Sequence, residues 1–171
     1  IFRFNERSLV YFSVDLFECV MTTKLAKGGT YFLPFNQGSN GAGNVGGAGN
    51  PNNQDGFGTS YLWEKVLCKD SLLEILQKYM HLDYEPTKSW RTGKMIFPRY
   101  HQLDAVRKIV ADLEVNKAGL NYLIQHSAGS GKTNTIAWTA HRLSGLHDEN
   151  DEAIFDSVIV VTDRKKHVSN F

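Results

Sequence analysis

Residues 122–133 read Tyr-Leu-Ile-Gln-His-Ser-Ala-Gly-Ser-Gly-Lys-Thr, and the fold prediction starts from this stretch. Its first three residues, one aromatic and two aliphatic, predict a short buried strand. Gly129 and Gly131 then supply backbone without Cβ atoms, which an anion can approach closely. The N–H groups of such a loop, together with the positive end of a following helix, form an anion-binding nest. The stretch therefore predicts a strand, a glycine loop and the start of a helix.

The residues after the loop predict a helix and a second strand. Four apolar residues recur at helical spacing: Ile136, Ala137, Ala140 and Leu143. Gly145 is a natural stop for this helix, and a second apolar run follows at Val158–Val161. Two strands joined through a helix form a βαβ unit, in which the strands are parallel. We therefore predict an α/β fold with a parallel sheet in the C-terminal half.

The end of the stretch matches the phosphate-binding P-loop pattern, Gly-x-x-x-x-Gly-Lys-[Ser/Thr]. In that pattern Lys132 would reach the β- and γ-phosphates of a nucleotide, and the Thr133 hydroxyl would bind Mg²⁺. The chain departs from the pattern at its first position, where His126 replaces a glycine. The alternative is a glycine-rich turn that binds nothing. The predicted strand before the loop and helix after it favour the P-loop.

The composition is that of a globular chain without a strong charge bias. The 171 residues are 42% hydrophobic and carry a formal net charge of +1. Such a chain can form one domain or parts of two, and its net charge gives no general attraction to nucleic acid. Cys19 and Cys68 have neither metal-ligand spacing nor a disulfide framework around them, which favours a reducing cytoplasm. No apolar run approaches the length of a membrane span, so no membrane partner is expected. The N-terminal residues do not form a signal peptide, and because the chain begins at Ile1 and not at a methionine, we expect a fragment or a processed piece.

Four segments precede the P-loop strand. Residues 8–35 combine apolar runs with turn signals, which predicts an antiparallel meander at the edge of a sheet. Residues 36–58 are rich in glycine and asparagine, and they contain a Gly-x-Gly-x-x-Gly pattern. Because further glycines and a proline follow that pattern, no helix can open there, and a flexible surface loop is predicted instead. Residues 59–82 predict two short packing helices, and residues 83–96 predict irregular structure.

A longer helix is predicted from Pro98. Its apolar residues lie on one face, and Gly119 is placed to end it. Arg99 and Gln102 stand in its first turn. A glutamine at a helix start is usually solvated, but this one lies shortly before the P-loop strand, so Gln102 is also a candidate for recognising a bound base.

Six stretches together resemble the motor (R) subunit of type I restriction enzymes. They are Tyr-Phe-Leu-Pro-Phe-Asn (31–36), Gly-Gly-Ala-Gly-Asn-Pro (46–51), Tyr-Leu-Trp-Glu (61–64), Phe-Pro-Arg-Tyr-His-Gln-Leu-Asp (97–104), Asn-Tyr-Leu-Ile-Gln-His-Ser-Ala-Gly-Ser-Gly-Lys-Thr (121–133) and Asp-Ser-Val-Ile-Val-Val-Thr-Asp-Arg (156–164). The set spans nearly the whole chain and is more specific than the P-loop alone.

The resemblance implies a nuclease domain followed by two helicase-like, RecA-like motor domains of superfamily two. On that map, residues 1–35 resemble the trailing strands of the nuclease domain. Residues 36–89 resemble a glycine-rich loop and a helical linker, and residues 90–171 resemble the incomplete N-terminal part of the first motor domain. The Asp, Glu and Lys of the nuclease centre would precede Ile1, and the acidic Walker B box and the second motor domain would follow Phe171.

The function implied by the resemblance is that of an ATP-dependent type I site-specific deoxyribonuclease. Such a subunit translocates double-stranded DNA using ATP and Mg²⁺, and it works in the cytoplasm with methylation (M) and specificity (S) subunits. The DNA target belongs to another subunit of the family. We expect this piece alone to bind nucleotide weakly and to hydrolyse almost none, because many groups that stabilise the transferred phosphoryl group would lie elsewhere.

The resemblance also implies roles for single residues. Lys132 matches the catalytic lysine, and Thr133 matches the Mg²⁺ ligand. The residues matching the ATP site are Gln102, Ser127, Ala128, Gly129, Ser130, Gly131, Lys132 and Thr133, with Gln102 as the adenine reader. Thr162 and Arg164 match the opening of motif Ia, near the DNA backbone, and the sequence departs from the family pattern after Arg164.

Two alternatives remain from the residues themselves. The chain could be a truncated nucleotide-binding or interaction piece with no activity of its own. A small P-loop kinase is the other alternative, but the sequence lacks a signature for a second substrate.

Overall fold

The computed structural model describes residues 8–162, which form a mixed α/β structure. The chain divides into two compact units between Ala105 and Val106. No helix among the described residues combines the length and the apolar character that crossing a membrane requires.

The first unit begins with a three-stranded antiparallel sheet. Its strands are β1 (Tyr11–Val14), β2 (Cys19–Thr22) and β3 (Leu33–Pro34), in that spatial order. Cys19 lies opposite Val14, and Met21 lies opposite both Phe12 and Leu33. This arrangement confirms the antiparallel meander predicted for residues 8–35.

An aromatic cluster forms the core of the first unit. Phe12 of β1 meets Phe35 edge-on with ring centroids 5.2 Å apart, and Phe97 at 5.8 Å. Tyr100 packs edge-on against both Phe35, at 5.9 Å, and Tyr61, at 5.0 Å. The Tyr61 hydroxyl donates a hydrogen bond of 2.8 Å to the backbone carbonyl of Phe35. These contacts join the sheet to the segments that follow it, since such ring pairs stabilise a core beyond the area they bury.

Residues 36–58, termed the asparagine loop below, lack helices and strands but are held by side-chain amides. The Asn36 carboxamide oxygen accepts from the backbone N–H of Cys19 at 2.7 Å and from the Asn50 side chain at 3.0 Å. Asn50 also donates to the Phe17 carbonyl at 2.8 Å and accepts from the Gln37 N–H at 2.8 Å. The two asparagines thus connect both ends of the asparagine loop to the sheet.

Backbone hydrogen bonds close the asparagine loop across its middle. The Gly38 N–H donates to the Gly49 carbonyl at 2.8 Å, and the Ser39 N–H donates to the Gly47 carbonyl at 3.0 Å. Gly41 has a φ of 85°, in the left-handed region that favours glycine. The prediction that no helix opens in this loop is confirmed, and the glycines occupy specific turns. The predicted flexibility of the loop stays a prediction.

Two short helices follow, as predicted for residues 59–82. The first is a π-turn at Leu62–Val66, in which the Leu67 N–H donates to the Leu62 carbonyl at 2.7 Å. The second is α1 (Lys69–Lys78), which buries Ile75. The prediction of irregular structure for 83–96 is partly wrong, because β4 (His81–Asp83) and β5 (Lys94–Ile96) pair as an antiparallel hairpin. Strands of three residues are too short to produce a readable periodicity.

The helix predicted from Pro98 is present as α2 (Tyr100–Asn116). Five residues of its predicted apolar face are buried: Leu103, Val106, Ile109, Val110 and Leu113. The helix ends before Lys117, which adopts a left-handed φ of 60°. A residue in this conformation commonly follows the last helical turn.

In the second unit, α3 (Lys132–Ser144) follows the glycine loop and stops at Gly145, as predicted. Its buried face differs from the predicted one, because Thr135 and Trp138 are buried whereas Ile136 is 47% exposed. After α3 a tight turn is held by Asp148, whose carboxylate accepts from the backbone N–H groups of Asn150 and Glu152. These bonds hold the pKa of the Asp148 carboxyl below its ordinary value.

The parallel sheet predicted for the C-terminal half is absent from the described residues. Neither residues 122–124 nor residues 158–161 form a strand, and both described sheets are antiparallel. Leu123 is 91% exposed and Val161 is 88% exposed. The physical reason is that parallel strands need hydrogen-bonded neighbours and cover on both faces, and two short apolar runs cannot supply this cover to each other.

Candidate functional site

The glycine loop before α3 contains two glycines in a backbone conformation that other residues rarely adopt. Gly129 and Gly131 both lie in the left-handed region, with φ values of 73° and 83°. Gly131 directly precedes the first residue of α3. A Cβ atom at Gly129 would meet no atom within 4 Å, so the space beside this backbone is open. The loop therefore fits an anion that approaches the backbone closely at a helix N-terminus.

Lys132 folds back over the loop. Its ammonium group donates to the backbone carbonyls of His126, at 3.1 Å, and Ser127, at 3.0 Å. An ammonium group has three donors, so it can hold the loop and still offer a donor to a phosphate oxygen. His126, where the P-loop pattern has glycine, takes part in this closure through its backbone carbonyl. This contact does not depend on the side chain at the position.

The predicted ATP-binding residues of the loop are mostly open to solvent. Ser130 is buried, and the other six are exposed: Ser127, Ala128, Gly129, Gly131, Lys132 and Thr133. The exposed Thr133 hydroxyl fits a Mg²⁺ ion that arrives with its nucleotide, because Mg²⁺ keeps several water and phosphate ligands and needs few from the protein. No cluster of three or more His, Cys, Asp or Glu side chains that could hold a metal occurs among residues 8–162.

The segment leading to the loop is tethered to α2 within the second unit. The Tyr122 hydroxyl donates to the Asp112 carboxylate at 2.6 Å, and Asn116 donates to the other oxygen of that carboxylate at 2.8 Å. The bond to Asp112 raises the pKa of Tyr122, because it is lost when the phenol ionises.

Gln102 lies in the first unit and is not a solvated residue. It is 2% exposed, and its side-chain oxygen accepts from the backbone N–H of Arg99 at 2.9 Å. This contact is one half of a capping box at the start of α2. A carboxamide oxygen has two lone pairs, so capping and recognition of a base are compatible. The interpretation of Gln102 as an ordinary solvated glutamine is therefore wrong.

Arg99, in the same turn as Gln102, was not given a role from the sequence. Its side chain is half-buried, and its buried Nε atom has no hydrogen-bond partner among residues 8–162. Burial lowers the pKa of the guanidinium group. The available sequence signal was the position of a basic residue three before Gln102, in the same helical turn.

Of Thr162 and Arg164, the two residues predicted to approach DNA, the structure describes only Thr162. Thr162 is exposed and lies outside helices and strands. Arg164 lies outside the described residues. The predicted DNA contact of motif Ia therefore stays a prediction.

Comparison with known families gives one match. Residues 95–170 match the family described as "Type III restriction enzyme, res subunit". The match covers less than half of the chain, and it includes α2, the glycine loop and α3. Over these residues the chain is similar to the helicase-like, ATP-dependent part of restriction enzymes. Neither the curated proteins nor the solved structures contain a significant match to the chain.

Proposed function

We propose that this chain is part of the ATP-dependent DNA translocase and endonuclease (R) subunit of a type I restriction-modification enzyme. The observation that carries the proposal is the glycine loop before α3, with Gly131 in the left-handed conformation and the Lys132 ammonium group folded into the loop. The similarity of residues 95–170 to a restriction-enzyme family supports the helicase-like part of the proposal.

The assignment to type I rests on stretches outside the matched residues. Residues 31–36, 46–51 and 61–64 carry the resemblance to type I subunits. Three of their residues make specific contacts in the first unit, namely Asn36, Asn50 and Tyr61. Because these contacts depend on the amide and phenol groups, other residue types at these positions would not form them.

In the proposed site, Lys132 and the N–H groups of the loop bind the phosphates of ATP, and Thr133 contributes its hydroxyl to Mg²⁺. Bound Mg²⁺ neutralises charge that develops on the phosphoryl group. Gln102 recognises adenine, since its carboxamide can accept from the N6 amino group and donate to N7. The working enzyme acts on double-stranded DNA in the cytoplasm, together with M and S subunits, and Thr162 and Arg164 approach the DNA backbone.

The decisive experiment is Lys132→Ala in the complete R subunit, assembled with M and S subunits on DNA. Loss of the ammonium group removes charge that stabilises the transferred phosphoryl group, so ATP-dependent translocation should be abolished. Lys94→Ala, at an exposed position of β5, is the matched control and should translocate normally. Near-normal translocation by the Lys132 variant would rule out the proposed site.

Base recognition by Gln102 needs a variant that keeps the helix cap. Gln102→Glu retains an oxygen for the Arg99 N–H but loses the donor for adenine N7. The wild-type subunit should prefer ATP over GTP by about ten- to hundredfold, the equivalent of about 1–3 kcal/mol for a mismatched hydrogen-bond pair. The preference should shrink in Gln102→Glu. An unchanged preference would show that another residue reads the base.

A further inference from the structure

The asparagine loop contains a pair of neighbouring residues that can react with each other. Asn40 is the only asparagine in the sequence that a glycine follows, and it is exposed. The backbone nitrogen of the next residue can attack the carboxamide carbon of an asparagine, and a side chain on that next residue hinders the approach. Gly41 has no side chain, and glycine has the least restricted backbone of all residues. The chain therefore places its least hindered asparagine in this loop.

In the closed loop, both reacting groups are engaged elsewhere. The Asn40 carboxamide donates to the Val45 carbonyl at 2.7 Å, and the Gly41 N–H donates to the Gly38 carbonyl at 3.0 Å. The attack requires the carboxamide to turn towards Gly41 and the N–H group to lose its proton, so both bonds must break first. The contact of the carboxamide is exposed, and exposed loop contacts open at little cost in free energy. The rate of attack therefore depends on how often the loop opens.

We propose that Asn40–Gly41 is a site of deamidation by water, and that the reaction opens the asparagine loop irreversibly. The Gly41 nitrogen forms a bond to the side-chain carbonyl carbon of Asn40 and gives up its proton. The side-chain nitrogen takes up a proton and leaves as ammonia, and the product is a cyclic succinimide. Water then adds to one of the two ring carbonyls and breaks the bond of that carbonyl to the nitrogen, which yields aspartate or isoaspartate.

Neither product can restore the contacts of the closed loop. A carboxylate at residue 40 replaces the amide that donates to the Val45 carbonyl, so two acceptors face each other. In isoaspartate the backbone runs through the former side chain and is longer by one carbon, which disrupts the turn between Gly38 and Gly41. The neighbouring bonds between Ser39 and Gly47, which close the loop, should then open as well. Because ammonia is lost to the solvent, the loop changes in one direction only.

The test follows deamidation of the whole chain at mildly alkaline pH by peptide mass spectrometry, which assigns each mass gain to a residue. Asn40 should react at least about tenfold faster than Asn52, which is exposed in the same loop and precedes another asparagine; this ratio corresponds to a barrier difference of about 1.4 kcal/mol. Asp55 also precedes a glycine and can form isoaspartate without a change of mass. The mass gain, and not the isoaspartate content, is therefore the signal.

Two matched variants locate the reaction. Asn40→Gln should lose the fast mass gain, because a glutamine would have to close a larger and less favourable ring. Asn52→Gln is the control, and it should react at Asn40 as fast as the wild type does. A third variant, Ser39→Ala, removes the hydroxyl that accepts from the Gly47 N–H at 2.7 Å. The loop should then open more often, and deamidation at Asn40 should become about two- to tenfold faster, the effect of one hydrogen bond.

The consequence for the loop is measured by amide hydrogen exchange on fresh and deamidated protein. The amides of Ser39 and Gly47, which are bonded across the loop, should lose protection after deamidation. The amides of β2 should keep theirs. A synthetic peptide of residues 36–46 has no closed loop, serves as the unfolded reference, and should deamidate faster than the protein.

The inference is overturned if the peptide deamidates at Asn40 while the wild type and Ser39→Ala do not, because the loop then stays closed in the folded protein. A mass gain spread evenly over the asparagines of the loop would also overturn it. Equal rates in the wild type and Ser39→Ala would rule out the dependence on opening, and unchanged protection of Ser39 and Gly47 in the deamidated protein would rule out the change of the loop. All these outcomes are independent of the glycine loop before α3, which belongs to the second unit.

Discussion

The asparagine loop and the segment before α3 both differ from what their residue types suggest. Residues 36–58 are polar and glycine-rich, yet side-chain amides and cross-loop backbone bonds hold them. Residues 118–131 include an apolar run with strand-forming residues, yet they contain neither helix nor strand, and Leu123 is exposed. The difference lies in where the hydrogen-bond partners come from. An asparagine brings its own donor and acceptor, whereas a strand depends on neighbours elsewhere in the fold.

The largest effect is expected from Asn50→Ala. The change removes three hydrogen bonds, two of them part-buried, and it leaves the part-buried N–H of Gln37 without its side-chain acceptor, so the free energy of unfolding of the first unit should fall by about 1–3 kcal/mol. The free energy of unfolding is measured by urea denaturation, with tryptophan fluorescence as the signal. Asn52→Ala, at an exposed position in the same loop, is the control and should unfold like the wild type. Equal stability of the two variants would mean that the amide bonds do not hold the asparagine loop.

A smaller loss of stability is expected at alkaline pH, and it comes from Cys19, whose backbone N–H is bonded to Asn36 of the asparagine loop. Burial raises the pKa of the Cys19 thiol from 9.0 to about 11, against a smaller opposing effect of the neighbouring Tyr61 hydroxyl. The folded state therefore favours the neutral thiol. Its contribution to stability is complete below pH 9.0 and is lost as the pH rises to about 11.

The measurement is the melting temperature between pH 8 and about 11. It should fall more steeply in the wild type than in Cys19→Ala, which has no thiol to ionise. The pKa of Tyr61 is also raised, mainly by burial, so the variant should keep part of the decline. Parallel curves for the two proteins would contradict the assignment of the effect to Cys19.

The smallest effect is expected from Tyr122→Phe, which removes the hydrogen bond from the segment before α3 to Asp112. Exposed hydrogen bonds contribute little to global stability, so the melting temperature should hardly change. Amide hydrogen exchange should nevertheless become faster across residues 118–131 and stay constant in the asparagine loop. If the amide hydrogens of residues 118–131 and of the asparagine loop exchange equally fast in the wild type, the two segments do not differ in how firmly they are held.

The sequence predicted the elements whose stability is local. The meander, the helix from Pro98 and the helix after Gly131 are signalled by turn residues, helical spacing and a glycine in the left-handed region. The sequence did not indicate which face of α3 is buried, because Thr135 is polar and Ile136 is apolar, and burial depends on the neighbours of the helix. The parallel strands depend even more on distant partners, and no local pattern can supply them.

In the candidate site, too, some residues could be predicted from local sequence patterns and others could not. Gly129, Gly131 and Lys132 could be predicted as site residues because the P-loop pattern places glycines and one charge at fixed spacing, and the structure gives both glycines a left-handed φ and brings the Lys132 ammonium group back to the loop. Their binding of a nucleotide stays a prediction. Nothing in the sequence marks Arg99, since an arginine at a helix start is common. Only the structure shows that its buried Nε atom has no acceptor among the described residues.

The π-turn at Leu62–Val66 has a consequence for how the chain can vary over evolutionary time. A π-turn makes one turn with one residue more than an α-helical turn, so deletion of a single residue there would leave an ordinary α-helical turn. The flanking residues would keep nearly the same directions, whereas the same deletion inside α2 would rotate them by about 100° relative to each other. Tyr61, just before the π-turn, would therefore keep its contacts with the Phe35 carbonyl and the Tyr100 ring. In homologous lineages, we expect single-residue deletions to be tolerated at this turn and to be rare in the interior of α2.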